Sequence, residues 1–143
     1  MRQNIRPILK YRGGKAKELK YYLKYIPSFD TYFEPFLGGG ATFFALNPAK
    51  AYIADINVKL IDFYRDAVKE FSKVKSELSY LQEQYEDNRK VFIANKKAEP
   101  DKRADDPNEQ LYYRIRAMFN NEIPYEYSYA TVYYFLVKTA YSS

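Results

Sequence analysis

The sequence predicts an α/β fold, incomplete as it stands, followed by a helical C-terminal part. Three observations carry this. An aromatic strand-like segment runs into three consecutive glycines and then into helix-forming residues. A second strand-like segment follows and ends in an aspartate. Beyond residue 57, apolar residues recur at helical spacing. With 143 residues and 17.0 kDa, the chain is long enough for one domain. The polar, proline-bearing stretch 98–108 divides an α/β part, 1–97, from a helical part, 98–143.

Each element has a local reason. Residues 7–15 (PILKYRGGK) are extended and turn at Gly13-Gly14. A short helix follows from about Ala16 to Tyr25, with Pro27 just beyond its end. Thr31–Phe36 is the first strand, and Leu37-Gly38-Gly39-Gly40 is the turn after it. Ala41–Leu46 opens as a helix after the glycines and stops at Asn47-Pro48, because a residue before proline avoids helical dihedrals. Ala51–Asp55 is the second strand. Asn57 can cap the next helix, whose apolar residues are Leu60, Ile61, Tyr64, Val68 and Phe71. Ser72 is the expected cap of a longer helix carrying the stripe Val74, Leu78, Leu81, Tyr85 and Phe92, which reads as core or partner surface. Glu109–Phe119 is helical, and Pro124 interrupts an aromatic loop. Periodicity alone does not separate helix from strand in Thr131–Lys138, although length favours helix.

Composition narrows the chemistry. Cysteine is absent, which removes disulfides, thiolate metal sites and a cysteine nucleophile. Histidine is absent too, which removes the serine–histidine–aspartate triad and histidine-ligated metals. Chemistry here falls to carboxylates, lysines, hydroxyls, backbone amides or a bound cofactor, and no metal site is expected. No apolar run reaches the roughly 18 residues needed to cross a bilayer, and the N-terminus lacks the apolar core of a signal peptide. The net charge of +5 is unevenly spread: residues 1–30 hold eight basic side chains against Glu18 and Asp30, whereas residues 66–110 are slightly acidic. A basic N-terminal face suits an anionic partner such as nucleic acid or phosphate, and it equally suits a solvated lysine-rich helix. The 17 tyrosines and 10 phenylalanines are expected mostly in the core.

The unit strand–glycine turn–helix–strand–Asp is half of a nucleotide-binding, Rossmann-like motif. Glycines let the backbone approach a ligand, and the following helix offers unpaired N–H groups. Asp55, fifteen residues after Gly40, ends the second strand and can accept ribose hydroxyl hydrogens. No Lys-Ser or Lys-Thr follows the glycines, so this is no P-loop. Position 43 is phenylalanine, so the dinucleotide fingerprint lacks its third glycine. Nucleoside ligands without a pyrophosphate fit better, and S-adenosylmethionine is the commonest of these. A tight turn that merely contains three glycines is the competing reading.

Three ordered elements carry a resemblance. Lys10-Tyr11-Arg12-Gly13-Gly14-Lys15 is similar to the K-W-x-G-G-K element of Dam-type DNA adenine-N6 methyltransferases, the D12 class or α group. Phe33-Glu-Pro-Phe-Leu-Gly-Gly-Gly40 resembles that family's F-x-P-F-x-G-x-G loop, and Ile53-Ala-Asp-Ile-Asn57 its I-x-D-x-N segment. Phe135-Leu-Val-Lys-Thr-Ala-Tyr141 resembles the start of its F-L-x-L-N-[RK]-x-x-[YF]-N-G segment, with Val137 and Ser142 in place of the two usual asparagines. The resemblance implies the class I S-adenosylmethionine-dependent methyltransferase fold. It implies S-adenosyl-L-methionine as cofactor, double-stranded DNA as substrate, and a bacterial or phage-encoded cytoplasmic enzyme of restriction-modification type. It places Tyr11 beside the cofactor's adenine or methionine portion and Lys15 near its carboxylate. Glu34 and Phe36 would line the pocket, Gly38, Gly39 and Gly40 would pass under it, and Asp55 would hold the ribose. Lys10 would reach DNA, and Tyr141 would match the aromatic that wedges into the duplex.

The family's catalytic motif is D-P-P-Y, whose Asp and prolyl carbonyl accept hydrogen bonds from the adenine amino group while its Tyr stacks on the flipped base. None of the seven prolines is adjacent to another. Asp106-Pro107-Asn108-Glu109 has the first two letters without an aromatic, and Ile123-Pro124-Tyr125 lacks the acid. No catalytic residue is therefore assigned. The expectation is the N-terminal portion of such an enzyme, inactive alone, with a second chain or copy completing its sheet. A non-catalytic DNA- or partner-binding module is the alternative.

Overall fold

The computed structural model describes residues 5–11 and 15–140. Two compact units divide between Asp62 and Phe63.

The first unit begins with three helical turns in succession: a 3-10 turn Lys15–Lys17, α1 (Leu19–Tyr22) and a second 3-10 turn Leu23–Tyr25. They end because Ile26, which precedes Pro27, is extended at φ −76°, ψ 119°. Next come β1 (Tyr32–Glu34), α2 (Ala41–Leu46) and β2 (Ala51–Ile53). The strands pair in parallel, with Tyr32 opposite Ala51 and Glu34 opposite Ile53. Backbone bonds from Ala54 N–H to Glu34 O (2.8 Å) and from Leu37 N–H to Ala54 O (2.9 Å) carry the pairing past the strand ends. Both strands are three residues long, shorter than the sequence suggested, because each has a single partner among the described residues. What stands among the described residues is a two-stranded parallel sheet with helices, a mixed architecture in which the rest of the expected Rossmann-like sheet is not seen. α2 stops where expected: Asn47 takes a left-handed conformation (φ 43°) before Pro48.

α3 (Val58–Lys69) starts where Asn57 Oδ1 accepts the Leu60 N–H, as a capping asparagine should. α4 (Phe71–Ala98) begins one residue before Ser72, so Ser72 is not its cap. The break is at Glu70 (φ −113°, ψ 31°), which caps with no side-chain bond. α5 (Pro107–Phe119) begins earlier than Glu109 because Asp106 accepts the Asn108 N–H at 2.9 Å and Pro107 fits the first helical turn. α6 (Tyr129–Thr139) resolves the ambiguous apolar run as helix.

The second unit's core is Leu81 of α4, Leu111, Ile115 and Met118 of α5, and Val132 and Phe135 of α6. The α5 residues sit at spacings of four and three, one helical face. Leu81 ties α4 to the helices that follow it, so α4 packs with α5 and α6, whereas the sequence grouped residues 1–97 together. The start of α6 is held from other helices. Glu77 Oε2 accepts the Ser128 N–H (2.9 Å) and the Thr131 hydroxyl (2.6 Å), and Asp66 Oδ2 accepts the Ala130 N–H (2.8 Å). Of the described aromatics only Phe63 and Phe135 are buried, the rest being half-buried or exposed, so the aromatic excess does not chiefly fill a core. No described helix is long and apolar enough to cross a membrane.

Candidate functional site

The end of β1 delivers Glu34-Pro35-Phe36 directly into the glycine turn. Gly40 N-caps α2 at φ 70°, in the left-handed region where a side chain is strained. Gly39 is required by proximity. A Cβ there would lie 2.9 Å from the Tyr11 Cβ, closer than two such carbons approach. The turn therefore passes under the Tyr11 side chain.

Asp55 binds this arrangement together. Its Oδ2 accepts the Gly38 N–H at 2.7 Å and its Oδ1 accepts the Asn57 N–H at 2.8 Å. Asn57 in turn donates from Nδ2 to the Tyr11 hydroxyl at 3.2 Å. One chain of hydrogen bonds thus joins the glycine turn, the acid at the end of β2 and the N-terminal lysine-tyrosine element.

Above the turn lies a cleft of about 510 Å³, within the range of small-molecule sites. Its lining includes Tyr11, Lys15, Glu34, Phe36, Gly38 and Gly39, six of the residues singled out from the sequence. Lys15 and Phe36 are exposed, so they sit at the rim. Gly40 and Asp55 are not in the lining: Gly40 is buried as the helix cap, and the Asp55 oxygens accept the Gly38 and Asn57 amides. Lys10 is exposed and outside the cleft. Tyr141 lies outside the described residues.

Glu34 is the half-buried charge of the cleft. Its Oε2 accepts the Tyr32 hydroxyl at 2.9 Å. Burial pushes its carboxyl above the ordinary carboxylate value, and the Tyr32 hydroxyl, the Phe43 N–H and the Lys15 ammonium pull partly back. Burial, with the Glu34 charge beside it, pushes the Tyr32 phenol up in turn. The sequence did not single out Glu18, Tyr22 or Thr42, which also line the cleft. The Tyr22 hydroxyl and Thr42 Oγ1 are hydrogen-bonded at 2.8 Å. The spacing of Glu18 and Tyr22, four residues apart after Lys15, was the available signal. Among the described residues no cluster of three or more potential ligands could hold a metal ion.

The arrangement offers a cation, carboxylates and aromatic faces around a tightly packed glycine turn. That donor set suits a zwitterionic amino-acid group joined to a planar heterocycle.

Comparison with known proteins agrees. The family model for the D12 class N6 adenine-specific DNA methyltransferase matches residues 11–143. The type II methyltransferase M1.LlaDCHI of Lactococcus lactis subsp. cremoris is 35% identical over 123 residues, 82% of this chain and 43% of its own length. The type II methyltransferase M.MjaIII of Methanocaldococcus jannaschii is 30% identical over 130 residues, 81% of this chain and 38% of its own. The type II methyltransferase M.CviBI of Paramecium bursaria Chlorella virus NC1A is 44% identical over 64 residues, 43% of this chain and 25% of its own. The chain thus spans less than half the length of these relatives.

Proposed function

Since this chain belongs to the D12 class N6 adenine-specific DNA methyltransferase family, we propose that its cleft binds S-adenosylmethionine for transfer of a methyl group to adenine N6 in double-stranded DNA. The observation that carries this is the convergence of Tyr11, Lys15, Glu34, Phe36, Gly38 and Gly39 on one cleft. When bound, S-adenosylmethionine supplies an electrophilic methyl group on a sulfonium. The chain's own residues do the holding. The Lys15 ammonium meets a carboxylate, and the Glu34 carboxylate faces positive charge. Tyr11 and Phe36 offer planar apolar faces. Gly39, where a Cβ would meet the Tyr11 Cβ, lets the turn pack closely on the tyrosine that lines the cleft. Asp55 fixes that turn and reaches the ribose with the lone pairs its amide partners leave unused. Lys10 contacts DNA.

In this reading residues 1–97 are the cofactor-binding part of a class I, Rossmann-like methyltransferase, and residues 98–143 begin its target-recognition region, with Tyr141 as a DNA-contacting aromatic. Residues 1–143 contain no D-P-P-Y. The nearest match, Asp106-Pro107, is committed to starting α5. These 143 residues therefore bind cofactor without methylating DNA, and a second chain or copy bearing further strands completes the two-stranded sheet.

The eight basic side chains of residues 1–30 favour a second reading, a non-catalytic DNA- or partner-binding module. Calorimetric titration with S-adenosylmethionine separates the two. The first expects saturable binding lost in Lys15→Ala and Asp55→Ala. The second expects no cofactor binding and salt-sensitive DNA binding that Asp55→Ala leaves intact. N6-methyladenine produced by the purified 143 residues would refute inactivity of the chain alone.

A further inference from the structure

The three helical turns from Lys15 to Tyr25 have two chemically different sides. Glu18 and Tyr22, four residues apart, face the cleft. Lys17, Lys20, Tyr21 and Lys24 recur at spacings of three and four on the other side, with Tyr25 at its margin, and all five are exposed. Tyr21 is 64% and Tyr25 74% exposed, high for such large rings. Each carries a lysine over its face: Lys20 Nζ lies 4.8 Å from the Tyr21 centroid and Lys24 Nζ 5.0 Å from that of Tyr25. The only acid in the segment, Glu18, is turned to the cleft. Among the described residues none of the three lysines pairs with a carboxylate. The outer side thus presents three ammonium groups uncompensated by acid, two of them lodged on rings rather than free to sweep.

We propose that Lys17, Lys20 and Lys24, steadied by Tyr21 and Tyr25, form a second nucleic-acid contact outside the cleft, binding the phosphate backbone of duplex DNA. A row of cations about one helical turn apart matches a linear polyanion rather than a single small anion. The contact carries no sequence information, because phosphates are alike at every base pair. This surface rests on the reading that DNA is the substrate. It extends that reading from a single lysine to a face that holds flanking duplex.

The test is fluorescence anisotropy of the full chain with a labelled mixed-sequence duplex across a salt series. The variants are Lys17→Gln/Lys20→Gln/Lys24→Gln and the corresponding triple Arg substitution. The Gln variant is expected to flatten the slope of log affinity against log salt by about three and to lose on the order of tenfold in affinity at low salt. The Arg variant is expected to keep both. An unchanged slope in the Gln variant overturns the proposal. So does equal loss in the Arg variant, which would mark a structural effect, and so does absence of duplex binding by the unaltered chain. Equal binding of anionic phospholipid vesicles, lost by the same Gln variant, would make the face a general polyanion surface and also overturn it. Titrating each protein with S-adenosylmethionine keeps the two readings apart. Lysine-dependent duplex binding without cofactor binding sinks the cofactor reading alone. Cofactor binding without lysine-dependent duplex binding sinks this surface alone.

Discussion

Asp55→Asn is the sharpest perturbation of the site, because it exchanges one carboxylate oxygen for an NH₂ group and changes little volume. In the folded chain one carboxylate oxygen faces the Gly38 N–H at 2.7 Å and the other the Asn57 N–H at 2.8 Å. Hydrogen bonds to a charged acceptor contribute about 1.5–3 kcal/mol each, and Asp55 is half-buried, so the lower end applies. Asparagine keeps one acceptor oxygen. Its NH₂ must oppose one of the two backbone donors. The neutral oxygen that remains is a weaker acceptor. Together these give a loss of roughly 2–3 kcal/mol, a fall in melting temperature of roughly 5–10 °C for a chain of this size. The assay is thermal denaturation by circular dichroism, paired with hydrogen exchange of the Gly38 and Asn57 amides. Both amides are expected to lose protection in the variant while those of α5 keep theirs. A variant with unchanged melting and unchanged exchange at Gly38 would refute the view that this carboxylate holds the glycine turn.

Gly39→Ala puts a Cβ 2.9 Å from the Tyr11 Cβ. Neither carbon has a flexible end, so the change displaces the Tyr11 element, costing about 1–3 kcal/mol and weakening S-adenosylmethionine binding tenfold or more by calorimetry. Glu34→Gln is expected to act in the opposite direction on stability. Burial raises the folded carboxyl above its ordinary value of 4.5, so the folded chain binds that proton more readily than the unfolded one. The unaltered chain therefore has this contribution in full below about 4.5 and loses it as pH rises through the folded value. Melting across a pH series should show the Gln variant gaining on the unaltered chain above that range and the gap closing below it, with cofactor binding weakened at neutral pH. A pH-independent gap would refute the desolvation argument.

The parts legible in the sequence are those set by local chemistry. α2 runs from Ala41 to Leu46 as expected, because a glycine cap and an Asn-Pro stop are encoded within the segment. The cap of α3 at Asn57 was legible for the same reason. α4 and α5 shifted by one or two residues, since the Glu70 break and the Asp106 cap lie just ahead of the residues expected to start them. What the sequence concealed is long-range. Glu77 and Asp66 satisfy the first amides of α6 from more than fifty positions away, and no window of α6 itself reveals them. The Asn57–Tyr11 bond spans 46 positions and depends on a phenol hydroxyl where the resembling motif has tryptophan. Six of the eight candidate cofactor residues line the cleft because they flank the turn or pack on it. The other two act within the turn, Gly40 as the cap of α2 and Asp55 as the acceptor of the Gly38 and Asn57 amides.

That division bears on the part an acid at a strand end plays in the proposed site. The sequence assigned Asp55 to the ribose, and the folded chain shows it bonded to two backbone amides. The roles are compatible. An ionised carboxylate offers about four lone-pair directions, and the amides take two of them. Holding the turn and holding a ligand hydroxyl thus call for the same charge in the same place. Under the proposed function the turn is already ordered by Asp55 before a ligand arrives, so little further ordering of it is left to occur on binding.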